Sequence, residues 1–142
     1  MKIQQLSLFV ENKPGHVAAP IELLAREGVD IRALYLADTQ NFGIVRMIVS
    51  DWRKAAALLE THGFVVKSTE VLAVEVPDHP GGLADVLRAL DGSGVNIEYM
   101  YAFPCMTGSQ AILIFRFDDP DAAIARLQAK GINVVAGDEL LK

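Results

Sequence analysis

Two six-residue loops carry the chemistry of this chain: Asn12-Lys13-Pro14-Gly15-His16-Val17 and, 66 residues later, Asp78-His79-Pro80-Gly81-Gly82-Leu83. In each, proline fixes φ and the next glycine permits a close backbone approach. An apolar helical pattern follows directly. The first N–H groups of such a helix have no partner inside it, and the positive end of the helix dipole lies behind them. That arrangement receives a carboxylate or phosphate without any charged side chain. Asp30 and Asn96 stand just after, in Gly28-Val29-Asp30-Ile31 and Gly94-Val95-Asn96-Ile97, again 66 residues apart. Asn12 goes with Asp30 and Asp78 with Asn96, so each copy offers one amide and one carboxylate. A carboxylate for an ammonium group and free N–H groups for a carboxylate complement a free α-amino acid. Two other uses stay open: Asn12 and Asp78 suit the caps of their own helices, and Asp30 and Asn96 suit turns.

Other reactive residues point to less. His16 has Gly82 as its counterpart and His79 has Lys13, so the histidines are not equivalent, and His16 makes the first loop the more polar. Asp78 and His79 are too close in sequence to chelate a metal, and no other ligand spacing occurs, so no metal is expected. The single cysteine, Cys105, excludes an internal disulfide and a cysteine-only metal cage. No base stands near it in sequence to activate it. No nucleophile–base set is visible, which speaks against an enzyme. Tyr99, Tyr101 and Phe103 alternate with Glu98 and lack basic neighbours, a pattern of core or interface packing rather than of an RNA platform. Arg46 and Arg116 fall inside strands and require partners, with Glu75 and Glu98 the candidates. The net charge of −5 lies wholly in residues 71–142, which carry ten acidic and five basic residues. An acidic chain without a basic stripe repels phosphate backbones, so nucleic acid is not expected as a partner.

The elements that must position these loops occur twice. Asp51, Leu59 and Gly63 find counterparts in Asp119, Leu127 and Gly131, now 68 residues on, so one loop gains two residues and the period otherwise holds. A fixed period of this kind marks a duplicated folding unit, here 1–69 and 70–142. Each copy reads strand, helix, strand, strand, helix, strand. In the first, Ile3 to Val10 is a strand, and Pro14-Gly15 opens a helix with Val17, Ile21, Leu24 and Ala25 on one face. Val29 to Ala37 and Phe42 to Ser50 are strands joined by a polar turn. Asp51 caps a second helix through about Thr61, closed by His62 and Gly63. In the second copy Asp119-Pro120 is an N-cap with proline at the first helical position, and Lys130-Gly131 is a stop. The β-α-β-β-α-β order gives a ferredoxin-like α+β sandwich. Val95, Ile97, Tyr99, Tyr101 and Phe103 alternate with Asn96, Glu98, Met100 and Ala102, so neither face is strongly polar. The helix-free face of the sheet should therefore be covered, and a homodimer is expected to cover it. No apolar run approaches the roughly 18 residues of a membrane span, and no signal peptide pattern opens the chain. A cytoplasmic protein is expected, with no membrane partner.

An acidic or amide residue, any residue, Pro-Gly, an apolar helix and then Gly-Val-Asn/Asp-Ile together resemble the ACT domain, a small-molecule-sensing module of amino-acid metabolism. Two in succession resemble the stand-alone tandem ACT-domain proteins, over about 3–68 and 71–137. The resemblance implies two ferredoxin-like units paired into an extended antiparallel sheet with helices on one face. It implies a non-catalytic regulator, without cofactor, holding an amino acid at the Pro-Gly loops of a domain interface, with a metabolic enzyme as a further partner. The ligand-binding residues it implies are Asn12, Lys13, Pro14, Gly15, His16, Val17, Asp30 and Ile31, with Asp78, Pro80, Gly81, Gly82, Leu83 and Asn96. Where serine-sensing members carry a histidine two residues before the loop asparagine, this chain has Val10 and Val76, so serine is not implied. The rival expectations are a subunit that binds an enzyme without any ligand, and an enzyme on the same fold.

Overall fold

A computed structural model describes residues 1–141, with backbone alone at Thr39, Cys105, Met106 and Thr107. The thiol of Cys105 therefore lies outside the described residues. The chain forms two compact units, Gln4–Thr69 and, with Met1–Ile3, Glu70 onward. Both are ferredoxin-like.

The first unit contains β1 (Ile3–Glu11), α1 (Ala18–Arg26), β2 (Ile31–Thr39), β3 (Phe42–Val49) and α2 (Trp52–Thr61). Strand β3 lies between β1 and β2 and is antiparallel to both, with Leu6 opposite Met47 and Leu34 opposite the same residue. Leu6, Leu8 and Val10 of β1 and Val45, Met47 and Val49 of β3 face the helices, where Leu23, Leu24, Ala55 and Leu59 close the core. The helical face differs from the expected one at one position. Leu23 is buried, whereas Ala25 is exposed. Asp51 caps α2 by accepting from the Lys54 N–H at 3.2 Å, and His62 Nδ1 lies 2.9 Å from the Leu58 carbonyl. Trp52 packs on the edge of this core, with the Arg53 guanidinium 5.0 Å from its ring centre.

The second unit contains α3 (Gly82–Ala89), β5 (Ile97–Thr107), β6 (Gln110–Phe117), α4 (Pro120–Ala129), β7 (Val134–Val135) and a short α5 (Gly137–Leu140). Strand β4 (Val65–Pro77) begins before Glu70 and supplies this unit's first strand. The two strands expected at the end of one repeat and the start of the next are thus one. Between Val65 and Val76 there is no glycine or proline to break the run, and five valines favour it. It stops at Pro77, which has no N–H to extend a ladder. Within the unit β4 pairs with β6 and with β7, and β6 pairs with β5. Leu72, Val74, Val76, Phe115 and Phe117 meet Val86, Ala123 and Leu127 of the helices. Asp119 caps α4 by accepting from the Ala122 N–H at 3.1 Å.

Both second strands carry a register shift at the same place in the repeat, between Ile31 and Ala33 and between Ile97 and Tyr99. An extra residue in a strand reverses which face the following side chains take. Ile97 therefore lies opposite Phe117 on the helix side, while Tyr99, Tyr101 and Phe103 lie opposite Arg116, Ile114 and Ile112 on the other. The single alternating face expected from Val95 to Phe103 is split in two. Arg32 and Glu98 sit at the shifts, and each joins an ion pair, Arg32 Nε to Asp30 at 3.7 Å and Glu98 to Arg116 Nε at 3.8 Å. Arg46 meets the Tyr35 hydroxyl at 2.6 Å instead of Glu75. Ala33, Ile48, Ala73, Phe103, Ile112 and Ile114 of the strands are buried.

Gly82 is sterically obligatory. A Cβ there would lie 1.9 Å from the Pro77 carbonyl oxygen, which is backbone and cannot turn aside. Its counterpart His16 has a Cβ, and α1 accordingly starts at Ala18, two residues later in the repeat than α3 at Gly82. Gly82→Ala is expected to lower the unfolding free energy by about 1–3 kcal/mol through forced overpacking. His16→Ala, at an exposed site, should stay within about 0.5 kcal/mol. Urea denaturation of both variants measures the difference.

Candidate functional site

Each Pro-Gly loop leaves the end of a first strand by the same turns. Lys13 N–H donates to the Glu11 carbonyl and His16 N–H to that of Lys13, and in the second unit His79 N–H donates to Pro77 and Gly82 N–H to His79. Gly15 and Gly81 take φ of 84° and 89°, which their neighbours could not adopt without strain. The loop is tied sideways to the hairpin of the same unit. Asn12 N–H donates to the Asn41 carbonyl at 2.9 Å, and Asp78 N–H to that of Ser109 at 3.0 Å.

The helix starts behind these loops are open. Helices α2 and α4 carry an aspartate cap, whereas neither α1 nor α3 has a side chain bonded to its first-turn N–H groups. Asn12 and Asp78 therefore do not cap their helices. The Asn12 amide instead donates to the Gln40 carbonyl at 2.9 Å, so that backbone and side chain of one residue clamp the hairpin turn. An aspartate cannot donate in that way. Asp78 is exposed, and among the described residues its carboxylate has no partner.

The second-strand residues do not join the loops of their own unit. Asp30 N–H donates to the Ser50 hydroxyl at 3.0 Å and Ser50 N–H returns a bond to the Asp30 carbonyl, and Asn96 and Asp118 repeat the exchange. Those bonds lie where Ile31 faces Val49, while the loop begins where Glu11 faces Phe42. Nine residues of β2 separate the two ends, roughly 30 Å at the rise of a strand. An Asn12–Asp30 pair within one copy is thus ruled out as a single binding site, and so is Asp78–Asn96.

Of the other expected binding residues, Pro14, His16 and Pro80 are exposed, and Val17, Ile31 and Leu83 pack against the cores. Lys13 Nζ lies 2.9 Å from the Glu11 carboxylate. The Lys13 hydrogen bond and charge hold the Glu11 carboxyl below its usual range.

Sequence reading missed a pair of equivalent clefts. Each opens beside the end of the unit's first strand and the turn before its last strand, with His16 of the loop as a further wall in the first unit and α3 in the second. In the first unit the cleft measures about 270 Å³ and is lined by Phe9, Val10, Glu11, His16, Phe64 and Val65. In the second it measures about 550 Å³, and Glu75, Val86, Ile132 and Asn133 are among its walls. Glu75 and Asn133 are the repeat counterparts of Phe9 and Val65, at the periods of 66 and 68. They lie 58 positions apart in sequence, and no local motif joins them.

A family model described as an ACT domain pair matches residues 1–142. The chain is similar to protein BT0572 from Bacteroides thetaiotaomicron, known from a crystal structure, with 39% identity and a TM-score of 0.92 over 100% of this chain and 97% of that one. It is also similar to the ligand-free regulatory subunit of aspartate kinase from Thermus thermophilus, at 19% identity and a TM-score of 0.66 over 90% of each chain. The corresponding Thermus flavus subunit gives 19% and 0.60, over 89% of this chain and 90% of that one. At such identity the likeness to the kinase subunits concerns the fold alone. No curated protein sequence matches the chain.

The Glu11–Lys13 pair gives a direct check on the loop. Because the folded value is depressed, its stabilising effect is complete above the usual carboxylate range and fades as pH falls through the lowered value. In a carbon-detected NMR titration, Lys13→Ala should move the Glu11 carboxyl upward, toward the ordinary value. An unmoved midpoint would mean that the pair does not hold in solution.

Proposed function

The chain belongs to the ACT domain pair family, and on that premise we propose that it is a non-catalytic regulator that binds a free amino acid. One contrast carries the reading: α2 and α4 are capped by their own aspartates, while α1 and α3, behind the Pro-Gly loops, are left open. A helix start without a side-chain cap, with the positive end of its dipole, suits the carboxylate of the ligand. Asp30 and Asn96 suit its ammonium group, but only from a domain that runs the opposite way.

A homodimer supplies such a domain. Among the described residues strand β2 pairs with β3 alone, and Leu34 and Leu36 on it are 49% and 53% exposed. Antiparallel apposition of two β2 edges from two copies would bring the loop end of one beside the strand-start end of the other. In this reading the repeats 1–69 and 70–142 are the functional halves, the protein works in the cytoplasm, and occupancy is reported to a metabolic enzyme. A ligand that favours one packing over another biases that enzyme by its differential affinity.

A thermal-shift screen of the twenty amino acids tests the proposal. At a hundredfold excess over its Kd the right one should stabilise by about 2.7 kcal/mol, raising Tm by roughly 9 °C. Loss of the Asp30 or Asn96 side chain should then weaken binding by about 1.5–3 kcal/mol. Light scattering should give twice the chain mass of 15.4 kDa. Absence of any shift at millimolar concentration would remove the ligand from the proposal, and a monomer would remove the composite site.

A further inference from the structure

Three large apolar side chains of the first unit stand in water at the loop end of its sheet. Phe9 is 42% exposed, Phe42 55% and Val65 65%. They share one face. Phe9 lies opposite Ile44 and Phe42 opposite Glu11, positions that alternate with Leu8, Val10 and Val45 of the helical core. Phe64 and Val66 pack on that core, so Val65 between them points to the other side as well. Phe9 and Val65 are both walls of the smaller cleft, and half-buried Ile44 lies beside Phe9 and Phe42. The result is a stripe across β4, β1 and β3 on the helix-free face.

The second copy has no such stripe. At the periods of 66 and 68, Glu75 stands for Phe9, Gln110 for Phe42 and Asn133 for Val65. The strand registers agree, since Glu75 lies opposite Ile112 as Phe9 does opposite Ile44, and Pro77 opposite Gln110 as Glu11 does opposite Phe42. The repeat tolerates polar residues at all three places, so the fold does not require apolar ones there. An exposed apolar cluster that the fold does not need marks a contact surface.

The size of the stripe selects what it can hold. A phenylalanine carries roughly 150–250 Å², so Phe9 and Phe42 leave about 100 Å² each in water. With Val65 the patch comes to roughly 300 Å². Two copies placed face to face on it would bury about 600 Å², short of the roughly 1,000 Å² that a stable interface clears. The cleft at one end, about 270 Å³, falls below the roughly 300–1,000 Å³ of small-molecule pockets. It has room for one inserted side chain. Charge gives no hold, because Glu11 in the same lining is already paired with Lys13.

We propose that this stripe is a docking surface for a short segment of a partner protein. The segment sets one apolar or aromatic side chain between Phe9 and Val65, and a second against Ile44 and Phe42. The surface needs no amino acid at the Pro-Gly loops, so it and the function proposed above stand or fall separately.

Selection of a phage-displayed dodecapeptide library on the full chain tests the proposal. The counter-selection uses the variant carrying Phe9→Glu, Phe42→Gln and Val65→Asn, the residues of the second copy. Enriched peptides should share a pair of aliphatic or aromatic residues and shift the amide signals of Phe9, Phe42 and Val65. Phe9→Glu and Val65→Asn should each weaken the best synthetic peptide about tenfold, with melting temperature as the control for folding. Phe9→Leu, which keeps an apolar wall, should bind nearly as the native chain does. No enrichment over the triple variant, or enriched peptides without apolar residues, would overturn the proposal. Self-association that Phe9→Glu abolishes would overturn it in favour of a second copy. Displacement of the peptide from these three residues by free L-leucine would overturn it in favour of a small ligand.

Discussion

A helix that joins two parallel strands must carry the chain from one end of the sheet back to the other. That constraint fixes where the candidate binding residues of this protein stand. It puts every Pro-Gly loop at one end of its unit and every second-strand start at the opposite end, roughly 30 Å away. Strands β1 and β2 are both antiparallel to β3, and so parallel to each other. No rearrangement of side chains can close that gap. Whatever ligand reaches both kinds of residue must be met by two domains, and a single unit can only offer half of a site.

The two copies differ at a place where a single atom matters. Gly82 permits an approach of helix to strand that any side chain would block, and His16 at the equivalent place takes the alternative, a later helix start. Asn12 and Asp78 diverge by chemistry rather than space, since an amide can donate to the hairpin carbonyl and a carboxylate cannot. One loop is consequently clamped by its own polar residue, and the other keeps that residue free.

Much of the fold was legible because its signals are local. Asp51 and Asp119 cap as their types and positions demand, and the glycines at the helix ends take the left-handed conformation that only they adopt easily. The matched loops of the candidate site could be found for the same reason, by comparing one copy with the other. Four things were not legible. The register shifts at Arg32 and Glu98 depend on pairing with β3 and β6, and a one-residue slip in a strand leaves no mark in composition. The fusion of two expected strands into β4 depends on the absence of a breaker, which reads the same as a short undetected turn. The opposed placement of Asn12 and Asp30 follows from topology alone, although their proximity in sequence suggests the contrary. Glu75 and Asn133 meet through tertiary packing of distant segments.

The amino-terminal segment Met1–Ile3 belongs with the second repeat rather than the first. Lys2 pairs with Asp121 at 3.1 Å and with Glu70 at 3.6 Å, and a Cβ on Gly137 would stand 3.5 Å from Ile3. The beginning of the chain thus lies beside the segment that follows its last strand. During synthesis these first residues therefore wait for Asp121 and Gly137, far later in the chain, before their contacts with them can form.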